Sequence, residues 1–123
     1  MAEGYPEPLA STMKVLKDMG WQFYVVDNAR RGRAHGGNKS ITVPSWAMGK
    51  DKERPGFFLW YVAHEVAHAV NTEVDWVRGM PFISHGPLFM YRLMQICPRE
   101  HQHFELEYKP RLAEAAGIRK EDV

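Results

Sequence analysis

His64-Glu65-Val66-Ala67-His68 is the segment of this chain best equipped for chemistry. On an α-helix, positions i and i+4 differ by about 40° in azimuth and one turn in rise. The imidazoles of His64 and His68 then project from one face and can share a tetrahedral Zn²⁺ at about 2.0–2.1 Å from each nitrogen. Glu65 leaves the helix about 100° away from His64. It falls outside the ligand pair yet within reach of an activated water, the place of a general base in a zinc hydrolase.

A catalytic zinc site needs a third protein ligand and keeps its fourth position for water. His85, in Ser84-His85-Gly86-Pro87, is the leading candidate, from a loop just ahead of a helix. The rivals are His35, His101, His103, Glu100 and Glu105. His101 and His103 fall in the polar stretch Glu100–Glu107, which is expected to face solvent. Glu73 and Asp75 follow the motif closely. Either is a candidate to orient a ligand imidazole through its second nitrogen, if not simply solvated.

The motif must sit on a helix for this geometry to hold. Phe57 to about Thr72 is apolar and free of Gly and Pro, which predicts a buried helix. Unpaired polar groups on such a helix cost several kcal/mol, and a metal would satisfy them. Ahead of it, Leu9, Met13 and Leu16 space out a helix over about 8–19, stopped by Gly20. Trp21 to Val26 and Ser40 to Pro44 read as strands, with a hairpin turn near Gly36-Gly37-Asn38. Residues 45–55 read as a loop and 73–86 as irregular. A helix from Pro87 ends before Pro98, and another spans about 110–117. Trp21, Phe23, Tyr24 and Trp60 are expected in the core. Cys97, at an apolar helix end, is expected to be a buried, inert thiol.

The chain of 123 residues suits one domain, with residues 1–8 as an arm and 9–123 as the folded body. A single cysteine excludes an internal disulfide and a zinc ribbon. The net charge of +1 argues against a general polyanion binder. Arg30, Arg31, Arg33, His35 and Lys39 form the only basic cluster, in a loop without interleaved aromatics for base stacking. Nucleic-acid binding there is weakly supported, and a solvated basic loop is favoured. The longest apolar run, Phe57 to Ala63, is far below the about 20 residues of a membrane span. No leader pattern opens the chain. A cytoplasmic, stand-alone domain is the expectation.

His64-Glu65-Val66-Ala67-His68 followed by His85-Gly86-Pro87-Leu88-Phe89 resembles the SprT-like zinc metallopeptidases, the family of Spartan and Wss1-type proteases. Their pattern is a HExxH helix and a later third His, commonly within His-Gly-x-x-Phe. The resemblance spans roughly residues 9–98. It implies a compact α+β zincin-like domain, with a small antiparallel sheet packed on the active-site helix. It also implies Zn²⁺ held by His64, His68 and His85, with Glu65 as general base in the hydrolysis of a protein or peptide substrate. The strand at Ser40 to Pro44 is expected at the sheet edge, where an extended peptide adds as a further strand. The alternative is a non-catalytic, zinc-stabilised binding module on the same scaffold, which would have no need of Glu65.

Overall fold

The computed structural model describes residues 4–78 and 87–118. It is an α+β fold in which helices surround a small sheet. The chain runs α1 (Leu9–Asp18), β1 (Gln22–Val26), β2 (Arg33–His35), β3 (Ser40–Pro44), α2 (Trp46–Glu53) and α3 (Phe57–Arg78). It continues through α4 (Pro87–Ile96), a 3-10 turn (Arg99–His101), α5 (His103–Tyr108) and α6 (Pro110–Ala115). Among the described residues, no helix is long and apolar enough to cross a membrane.

Helix α1 buries Leu9, Met13 and Leu16, the stripe that its spacing dictates. Gly20 closes it at φ +101°, a conformation side chains resist, and the Trp21 N–H then donates to the Leu16 carbonyl at 3.0 Å. Helix α3 is the axis of the molecule. It packs against α1, α2, α4, β2 and β3, burying Phe57, Trp60, Val62, Ala63, Val66, Ala67 and Ala69. Asp51 starts it, its Oδ1 accepting the backbone N–H groups of Gly56 and Phe58 at 3.1 and 3.0 Å. The helix continues past the expected end near Thr72 as far as Arg78, because no Gly or Pro interrupts it before Gly79.

The sheet is mixed rather than antiparallel throughout. Its order is β1-β3-β2, with β1 parallel to β3 (Gln22↔Ser40 to Val26↔Pro44) and β2 antiparallel to β3 (Ala34↔Ile41). The hairpin turn between β2 and β3 forms where the glycines predicted it. The chain between β1 and β2, however, carries β2 to the far side of β3. The strand at Ser40–Pro44 is therefore central, not the edge its proline suggested. Pro44 is tolerated because it is the last residue of the strand, and the next N–H, of Ser45, donates to the Val26 carbonyl at 3.0 Å.

Edge placement also moves Tyr24 out of the expected core. It is 46% exposed on β1, while Trp21 and Trp60 are buried and Phe23 is half-buried against the core. Residues 46–53 form α2 rather than loop. With Gly49 and alternating charges it lacks an apolar period, and only Ala47 is buried, so packing on α3 and β3 holds it helical. Nor does the polar stretch Glu100–Glu107 simply face solvent. It folds into the 3-10 turn and α5, with Phe104 and Glu105 buried.

Candidate metal centre

His64, Glu65 and His68 lie midway along α3, each able to offer a ligand atom within 4.8 Å of the others. His64 is 4% and Glu65 5% exposed, and His68 is half-buried. The two imidazoles stand edge to face, with ring centres 4.9 Å apart. Helix α4 supplies Phe89, fully buried. Its ring stacks on His68 at 4.3 Å and meets His64 edge-on at 4.9 Å, so an apolar wall restricts both rings.

Helix α5 contributes Glu105, whose role the sequence reading did not identify. Its Oε1 accepts a hydrogen bond from Trp60 Nε1 at 3.0 Å and lies 2.7 Å from His64 Nδ1. Glu105 is 0% exposed, and its Oε2 has no hydrogen-bond partner among the described residues. A carboxylate on Nδ1 selects the tautomer that keeps the Nε2 lone pair for a metal and fixes the orientation of the ring. No spacing rule links residue 105 to residue 64. The signal available in sequence was an acidic residue beside Phe104 in a stretch able to form a short amphipathic helix.

Burial pushes the Glu65 carboxyl up to about 7. The His64 ring opposes the shift, the Glu105 charge adds to it and Arg31 opposes it. A carboxylate poised near neutrality suits proton transfer in either direction. Imidazole and carboxylate side chains gathered this closely have the chemistry to hold a metal ion. The residues present fit a metal ion held by His64 and His68 with Glu65 alongside.

Other sequence candidates lie elsewhere. His85, the leading third ligand, falls outside the described residues, as does the side chain of Asp75. Glu73 turns away from the imidazoles. It accepts a hydrogen bond from Trp21 Nε1 at 2.6 Å and pairs with Lys39 at 3.1 Å, tying α3 to the start of the sheet. His35 and Glu100 are exposed. His101 lies against Gly56, and His103 Nδ1 meets the Glu100 carbonyl at 3.0 Å. Among the described residues, no other group of His, Cys, Asp and Glu side chains gathers with metal-binding geometry. The basic cluster is divided, since Lys39 is drawn to Glu73 while Arg30, Arg31 and Arg33 are exposed. Cys97 is buried, and burial raises its thiol far above the usual range, in keeping with an inert role.

A cleft opens on the α2–α5 side of the centre, with His64 and Glu65 in its lining. Arg31 and Gly32 flank it, and the Gly32 N–H donates to the Tyr61 hydroxyl at 2.6 Å. Comparisons with protein-family models, characterised proteins and solved structures return no match to this chain.

Proposed function

We propose that this protein is a zinc-dependent metallopeptidase of the SprT-like kind, with His64, His68 and His85 as ligands and Glu65 as general base. The observation that carries the reading is the His64–Glu65–His68 group on α3, with His64 and Glu65 buried and His68 half-buried, backed by the Glu105 carboxylate at His64 Nδ1. Zinc, when bound, supplies Lewis acidity that activates water and polarises the scissile carbonyl. Glu65 takes the proton of the attacking water and returns it to the leaving amine. Its elevated proton affinity suits both halves of that transfer. Glu105 fixes the orientation of His64, and Phe89 restricts His68 and excludes water from one side. With β3 enclosed between its neighbours, the open sheet edge toward α3 is β2, and an extended substrate would add there.

The test pairs metal analysis with proteolysis on one untagged preparation. Stoichiometric zinc and cleavage of a disordered protein such as casein are expected. Glu65→Gln should keep the metal and lose roughly 10²–10⁴-fold in hydrolysis. Protein that binds zinc but cuts nothing across a broad substrate panel would be the binding module instead. Protein that takes up no added zinc would end both readings.

A further inference from the structure

The cleft beside Glu65 has a composition that selects its occupant. Its volume is about 520 Å³, within the roughly 300–1,000 Å³ of sites that enclose small ligands. Phe57, Trp60 and Phe104 are buried within it, whereas Trp46 and Tyr108 stand at its mouth, 43% and 49% exposed. The Trp46 indole is held in place despite that exposure. Its Nε1 donates to the Arg30 carbonyl at 3.2 Å, and its ring meets Tyr61 edge to face at 5.8 Å. Across the opening, Tyr108 packs against Trp60 at 6.2 Å and Arg54 bridges α2 to α5 through Glu107 at 2.6 Å. These walls offer ring edges and faces already fixed, so an entering aromatic side chain gains contact without ordering its host.

Charge narrows the choice further. Arg31 and Lys50 both line the cleft and are exposed, and neither forms a close ion pair among the described residues, although Arg31 acts at longer range on the Glu65 carboxyl. Lys50 Nζ instead lies over the Phe57 ring at 4.8 Å. Arg54 pairs with Glu107, and Arg31 and Lys50 outnumber Glu65 at the floor of the cleft, so the lining stays net positive.

We infer that this cleft is the specificity site of the enzyme and takes a large aromatic residue of an internal peptide segment flanked by acidic residues. The inference rests on the metallopeptidase reading, but it predicts binding whether or not hydrolysis follows. Three capped, amidated peptides test it by calorimetry on the full chain with zinc added: acetyl-Gly-Glu-Phe-Glu-Gly-amide, its Lys-Phe-Lys counterpart and its Glu-Ala-Glu counterpart. The acidic aromatic peptide should bind roughly five- to tenfold tighter than the lysine peptide at low salt, and the contrast should shrink in 0.5 M NaCl. Lys50→Glu should reduce it to about threefold or less. Trp46→Ala, at an exposed position, should weaken both aromatic peptides by about tenfold. Cleavage of a mixed peptide pool beside such segments would join the site to the chemistry, while preferential binding without cleavage would uphold the site and sink the peptidase reading. Cleavage without this preference, equal binding of the peptides, or a contrast indifferent to Lys50→Glu overturns the inference. So does tighter binding of acetyl-Gly-Phe as its free acid, which would assign the cleft to chain termini.

Discussion

Glu65 offers a test of the centre that needs neither substrate nor turnover. In the metal-free protein its carboxyl is raised from 4.5 to about 7, mainly by burial. Below pH 4.5 the folded and unfolded states both hold the proton, and Glu65 costs nothing. Between pH 4.5 and 7 the unfolded chain releases the proton while the folded chain keeps it, so stability falls as pH rises. Above pH 7 the penalty is complete. Raising the carboxyl from 4.5 to about 7 disfavours the ionised folded form by about 3–4 kcal/mol. Glu65→Gln replaces the protonated carboxyl by a neutral group of the same shape, so it should match wild type near pH 4.5. At pH 8 it should exceed wild type by about 3 kcal/mol, or roughly 10 °C in melting temperature. Chemical denaturation of both proteins in chelator, from pH 4.5 to 8, measures the difference curve, in which the other titrating groups largely cancel. Added zinc should shrink the gap, since a cation favours the carboxylate. A difference that stays flat across this range would refute the claim that burial holds Glu65 protonated.

Other substitutions probe the supports. Glu105→Gln should weaken zinc binding by about 10–100-fold, measured by competition with a chromogenic chelator, because the neutral amide no longer holds His64 Nδ1 as a carboxylate does. His85→Ala should remove the metal and the thermal stabilisation it brings, whereas His103→Ala should do neither; the reverse pattern would displace the ligand assignment. Phe89→Ala should cost about 3–5 kcal/mol in denaturant unfolding and also loosen zinc, since this ring packs on both imidazoles. Gly56→Ala should destabilise the fold by about 1–3 kcal/mol, because Gly56 adopts φ +92° and an added Cβ would lie 2.0 Å from His101 Nδ1.

Much of this architecture was legible from local pattern. The apolar stripe of α1, the glycine that ends it, the long helix under the motif and the proline that starts α4 depend on residues near in sequence, and all formed, with α3 running past its expected end. The elements that did not follow their local pattern are those held by distant partners. Helix α2 carries no apolar period and exists because α3 and β3 receive it. Tyr24 reads as a core aromatic and became surface because β1 is an edge, a property of strand order that no single strand encodes. Pro44 argued for an edge, yet a strand's last residue can lack an N–H anywhere in a sheet when the next residue donates instead.

The candidate site divides the same way. His64, Glu65 and His68 share a helix, and helical periodicity alone brings their side chains to neighbouring positions, so the sequence by itself determined that grouping. It could not determine which carboxylate would hold His64. Glu73 was the nearer choice along the chain, but it was drawn to Trp21 and Lys39, while Glu105 came in from α5. Nor could it foresee an aromatic cleft assembled from α2, α3 and α5. The physical reason is range. Backbone geometry dictates relations within a turn or two of helix, whereas burial, which sets the proton affinity of Glu65 and the partner of His64, is a property of the whole packed chain.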